Sequence, residues 1–152
     1  MQIESLRDVL RWAREYHQRA HECAQHCSDS GQSERTKLLL RYLADHEAKL
    51  VSTLDAFEET AHVNALNTWC VEYLQKHPVV PHENCIKPLA DLSADEIFLN
   101  VMHQHEQIMD LYEHLLAQFP AGHAAEFLKG LRELEEHEDM QMAKHYQQLE
   151  DL

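Results

Sequence analysis

The chain has 152 residues, with 27 Asp and Glu against 13 Lys and Arg, and a formal net charge of −14 when its 13 His are neutral. That length favours a single domain, 1–152, with a sizeable core. The charge argues against nucleic acid or an anionic membrane as partner, because both reward clustered Lys and Arg. Mean hydropathy is −0.54, and no apolar run reaches the roughly 18 residues of a membrane span. The start, Met1-Gln2-Ile3-Glu4-Ser5-Leu6-Arg7-Asp8, has neither the basic segment nor the apolar stretch of a signal peptide. A soluble, cytoplasmic protein is the expectation. Cys23, Cys27, Cys70 and Cys85 then read as reduced thiols that pack as small apolar residues.

In the first segment, Ile3, Leu6, Leu10, Ala13, His17, Ala20, Ala24 and Cys27 recur at alternating three- and four-residue steps, the signature of one helix face. A helix near 4–28 is predicted, with Ser5 as N-cap. Val9, Trp12, Tyr16 and Cys23 form a second apolar stripe on it. Either a later part of the chain or a second copy covers that stripe, so a homodimer stays open. After the turn-like cluster around Gly31, the series Leu39, Leu43, His46, Leu50, Leu54 and Phe57 predicts a helix near 33–61, capped by Ser33.

Residues 62–93 form a long crossover containing Pro78, Pro81 and Pro88. Within it, a short helix from Asn64 to Gln75 is predicted, whose Leu66, Trp69, Cys70, Tyr73 and Leu74 can cover a bundle face. Ser93-Ala94-Asp95-Glu96 has the spacing of a capping box. It opens a helix near 94–119 with Phe98, Val101, His105, Ile108, Tyr112, Leu115 and Phe119 on its face. Pro120-Ala121-Gly122 breaks the chain. The last helix, near 123–150, carries Phe127, Leu131, Leu134, then His137 or Glu138, then Met142, His145 and Leu149.

Short breaks after the first and third long helices imply two antiparallel hairpins. The long crossover lets the second and third helices run parallel. The predicted fold class is all-α, a four-helix bundle of two hairpins joined by one crossover. A weak internal repeat agrees with it: Leu40-Arg41-Tyr42-Leu43-Ala44-Asp45-His46-Glu47 aligns with Leu131-Arg132-Glu133-Leu134-Glu135-Glu136-His137-Glu138.

One His interrupts the apolar seam of each long helix: His17, His46, His105 and His137. His17 lies 13 residues before residue 30, and His46 lies 16 after it; His105 and His137 each lie 16 from residue 121. All four are thus expected in one layer. A single seam His is usually a core residue bonded to a neighbour. Four at one height are harder to bury without a shared partner, and a metal ion supplies one. Glu47, Glu106 and Glu138 each directly follow a seam His. They are candidates to ligate or to hydrogen-bond an imidazole N–H, against the plainer reading of a solvated flank. On the last helix, both His137 and Glu138 remain candidates for the core-facing position. The runs Glu133 to Glu136 and Glu58-Glu59 read as solvated faces. His21, Glu22, Cys23, His26 and Cys27 can form a zinc or copper cluster or simply pack.

The paired hairpins and mid-helix His and Glu resemble the ferritin-like superfamily, its rubrerythrin-like members in particular. That family carries Glu on helices 1 and 3 and Glu-x-x-His on helices 2 and 4. Here Leu43 and Leu134 stand three residues before His46 and His137, so the Glu-x-x-His pairs are absent. The layer of seam His with its flanking Glu predicts a transition metal held by His17, His46, Glu47, His105, Glu106, His137 and Glu138, and the resemblance puts iron first, with zinc or manganese as alternatives. It also implies redox chemistry linked to O2 or peroxide, and no substrate is named by the sequence. The competing expectation is a metal-free helical bundle that acts as an interaction or assembly module.

Overall fold

In a computed structural model, residues 3–30, 33–76 and 91–151 are described. Among them lie four long helices: α1 (Leu6–Cys27), α2 (Glu34–Thr60), α5 (Ala94–Gln118) and α6 (Gly122–Glu150). Two short ones, α3 (Val63–Leu66) and α4 (Val71–Lys76), lie between α2 and α5. No strand is present among the described residues, and the chain is all-α.

The helix starts follow the cap chemistry. Ser5 Oγ accepts from the Asp8 amide at 3.4 Å while the Asp8 carboxylate accepts from the Ser5 amide at 3.2 Å, a complete capping box. Ser33 and Ser93 accept from the amides of Thr36 and Glu96 at 3.1 and 3.2 Å. Each such cap is worth about 1 kcal/mol relative to Ala.

Cross-helix pairs fix the directions. His21 with Ala44, His17 with Glu47 and Arg11 with Glu58 step in opposite senses, so α1 and α2 are antiparallel. Phe98 with Tyr146 and His105 with Asp139 show the same for α5 and α6. Tyr42 with His145 and Phe57 with Phe127 show it for α2 and α6. Arg35 with Asp95 and Glu47 with His105 advance together, so α2 and α5 run parallel.

The predicted helix 64–75 is broken at residues 67–70, and the reason is a competing backbone partner. The Leu6 amide donates to the Thr68 carbonyl at 3.0 Å, and the Cys70 amide donates to the Glu4 carbonyl at 2.8 Å. Those groups cannot also serve an intrahelical ladder. The tether seats Ala65, Leu66, Cys70 and Leu74 against Leu6, Val9, Leu10 and Tyr16 in one apolar cluster. Part of the second stripe of α1 is therefore covered by this chain's own crossover. Residues 77–90, with their three prolines, lie outside the described residues.

The core is divided. One apolar cluster runs from Leu6 to Tyr16 on α1, with Leu54, Ile108, Tyr112, Leu115, Phe127, Leu128 and Leu131. A second joins Ala24, Cys27, Leu39, Leu40, Leu43, Ile97, Met142 and Leu149. Each fully buried Leu or Ile contributes roughly 1.5–3 kcal/mol. Between the two clusters, on every long helix, lie buried polar residues: His17, His46, Glu47, His105, Glu135, Glu138 and Asp139.

Candidate metal centre

The apolar face of α1 stays in phase from Leu6 through Ala13, so the next inward position falls on His17, which is 0 % exposed. The same logic brings Glu47 of α2 and His105 of α5 inward, at 1 % and 0 %. Glu47 Oε2 lies 2.5 Å from His17 Nδ1, and Glu47 Oε1 lies 2.7 Å from His105 Nε2. The far nitrogens are also engaged. His17 Nε2 meets Glu135 Oε1 at 2.9 Å, and His105 Nδ1 meets Asp139 Oδ1 at 2.5 Å. The five groups thus form an alternating chain, Glu135, His17, Glu47, His105, Asp139. Tyr112 extends it by donating to Glu135 Oε1 at 3.3 Å. Tyr16 stands edge-on to both rings, with centroids 5.2 Å from His17 and 6.0 Å from His105, and its hydroxyl donates to Gln104.

The electrostatics follow from that alternation. Burial alone would lower the His17 pKa, but the Glu135 and Glu47 carboxylates overcome it and raise it from 6.5 to about 9. His105 is likewise raised well above 6.5: burial opposes the charge, and Glu47 and Asp139 outweigh it. Burial pushes Glu47 up, yet His105 and His17 hold it well below the usual carboxylate range. Burial and the Glu135 charge keep the Tyr112 phenol protonated. A carboxylate only accepts hydrogen bonds, so in the metal-free protein both nitrogens of each ring carry protons and donate.

The same geometry suits a cation. His17, Glu47 and His105 each offer one donor atom, and the three atoms lie within 4.8 Å of one another. Replacing the two protons that face Glu47 would leave His17 Nδ1, His105 Nε2 and the Glu47 carboxylate as donors. Glu135 and Asp139 would then accept the remaining imidazole N–H groups, the outer arrangement that orients metal-bound histidines. The donor set is one that could hold a metal ion, once the rings draw back from their direct contacts with Glu47. Among the described residues it is the one group of three or more His, Cys, Asp or Glu that converges this way.

Not all of the expected residues gather there. His46 is buried but faces α6, with its Nε2 3.4 Å from Glu138 Oε2. Its pKa is lowered by burial, against the pull of the Glu138 charge. Glu106 and His137 are exposed, and neither joins the cluster. Glu138 takes the inward position that the sequence left open between it and His137. The four histidines stand at about one height along the bundle, since His46 adjoins Glu47 and His137 lies between Glu135 and Asp139, but of the four only His17 and His105 meet, with ring centroids 5.1 Å apart.

Glu135 and Asp139 were not foreseen. Glu135 is 0 % exposed, which corrects the reading of Glu133 to Glu136 as a wholly solvated run. Stepping back from the core residue Met142 by four, three and four reaches Glu138, Glu135 and Leu131, all buried, and that register was available in the sequence. The soft-ligand cluster on α1 does not form among the described residues. His21 Nδ1 bonds the Ala44 carbonyl at 2.6 Å, Cys27 is a free buried thiol, and Cys23 is disulfide-bonded. The expectation of reduced thiols throughout is corrected at Cys23.

No helix among the described residues is long and apolar enough to cross a membrane. No family model, curated protein or solved structure matches this chain.

Proposed function

We propose that the protein is a ferritin-like four-helix bundle that binds one divalent transition metal through His17, Glu47 and His105. The observation that carries this reading is the pairing of two imidazoles on a single buried carboxylate, with a second carboxylate behind each ring. Burying five titratable groups gives no stability that a well-packed apolar layer would not match. Such a violation of core patterning is typical of a functional site. The antiparallel and parallel helix pairs support the bundle with one long crossover.

Two histidines and one carboxylate leave coordination positions open, a set that suits Fe(II) and also accepts zinc or manganese. Bound iron would supply redox chemistry with O2 or peroxide. The chain's own residues hold the ion, orient the rings through Glu135 and Asp139, and keep bulk water out with the apolar clusters on either side. A cytoplasmic setting belongs to this reading.

One observation favours a second reading. Every ring nitrogen of His17 and His105 already has a carboxylate partner, so a metal-free bundle serving as an interaction or assembly module is internally satisfied. Elemental analysis of protein purified without a His-tag, before and after anaerobic reconstitution with Fe(II), separates the two. The metal reading expects about one equivalent per chain, lost in His105→Ala. Under a tenth of an equivalent after reconstitution overturns the metal reading.

A further inference from the structure

The proposed centre is sealed: His17 and His105 are 0 % exposed and Glu47 is 1 %. An ion reaching it from solvent must pass between the helices. One feature next to the centre has the chemistry to hold an ion there. His46 and Glu138 directly precede Glu47 and Asp139 in the sequence, so about 100° of helix rotation separates each from its neighbour. Their side chains are 5 % and 6 % exposed, with His46 Nε2 and Glu138 Oε2 only 3.4 Å apart. Neither atom has a hydrogen-bond partner among the described residues.

Buried polar atoms are normally satisfied, and each that is not calls for a reason. An imidazole nitrogen and a carboxylate oxygen facing each other are also the two donor types used in the inner cluster. On the solvent side, Lys49 Nζ lies 3.4 Å from Glu138 Oε1 and is 62 % exposed. Tyr42 stacks on His46 at 5.6 Å and on His145 at 3.6 Å, which fixes the ring from the other side. The α2–α6 seam is thus polar from the exposed Lys49 inward to His46.

We propose that His46 and Glu138 form a transit site, which captures a divalent cation at the α2–α6 seam and passes it to His17, Glu47 and His105. The proposal rests on the metal reading above. Lys49 competes with the cation for Glu138 and so limits capture.

The test is the rate of Co(II) uptake by tag-free protein, followed by visible absorption, with bound cobalt measured at the end point. Wild type takes up one Co(II) per chain. Glu138→Gln and His46→Ala reach the same end point more slowly. Lys49→Ala, at an exposed position that does not threaten the fold, is faster. Far-UV circular dichroism and thermal melting report whether the two buried variants still fold. Unchanged rates in Glu138→Gln and Lys49→Ala overturn the transit site while leaving the inner site intact. Two Co(II) per wild-type chain, falling to one in Glu138→Gln, would show a storage position and also overturn it. No uptake by wild type overturns both this proposal and the metal reading.

Discussion

His17 and His105 share one carboxylate: Glu47 presents Oε2 to the first at 2.5 Å and Oε1 to the second at 2.7 Å. The two rings come from α1 and α5, and the bridging carboxylate from α2. Three helices are therefore tied together at one buried point. Its two possible occupants, a pair of protons or a divalent ion, carry the same charge.

Removing the bridge should be costly. Glu47→Gln keeps the shape but leaves two protonated imidazoles without their common counter-charge. Breaking a buried pair in this way costs roughly 3–5 kcal/mol. Urea unfolding of the metal-free protein at pH 6 measures it. A loss below about 1 kcal/mol would mean that the His17 and His105 charges are neutralised in the fold.

Stability of the metal-free protein should fall as pH rises. The folded pKa of His17, about 9, exceeds its ordinary 6.5, and His105 shifts the same way. Their contribution is therefore complete below 6.5 and lost as pH climbs through about 9. Glu47 is shifted down, so its contribution is present above the ordinary carboxylate range and lost as pH falls below it. Stability should peak between these limits. For His17 alone the decline to pH 9 is about 3 kcal/mol, each tenfold in proton affinity being worth about 1.4 kcal/mol. Chemical denaturation of chelator-treated protein at pH 6 and pH 9 reads the difference.

Metal should reverse that trend. Binding displaces the protons on His17 Nδ1 and His105 Nε2 that face Glu47, so uptake releases two protons per ion and affinity climbs with pH. Calorimetric titration with Zn(II) in buffers of different ionisation enthalpy counts the protons. No proton release would mean that the ion sits elsewhere.

Glu106 and His137 serve as controls. Both are exposed and lie outside the cluster, so Glu106→Gln and His137→Ala should each change stability by less than about 0.5 kcal/mol. Metal content should be unaltered. A halved metal content in either would place a ligand where the fold does not.

The long helices were legible because their apolar residues hold one period over about seven turns, and serine caps mark three of the starts. His17 and His105 were legible for the same reason: each sits on the seam of its own helix. What a single helix cannot reveal is which of two adjacent polar residues faces a neighbour. On α2 both His46 and Glu47 are buried, but they point to different partners, α6 for one and α1 with α5 for the other. On α6, the frame through Phe127 and Leu134 passes between His137 and Glu138. The frame through Leu128, Leu131 and Met142 instead passes through Glu135 and Glu138, and packing against α2 and α5 selects it. The break at 67–70 was hidden because its cause is tertiary: its backbone partners, Leu6 for Thr68 and Glu4 for Cys70, lie far back in the sequence at the start of the chain.

X-ray absorption at the metal edge of the reconstituted, tag-free protein tests the central claim most directly. The account predicts a single ion with two imidazole nitrogens and carboxylate oxygen at about 2.0–2.2 Å, and loss of the imidazole signal in a His17→Ala, His105→Ala double variant. A wild-type spectrum without imidazole scattering, or one unchanged in the double variant, would contradict it.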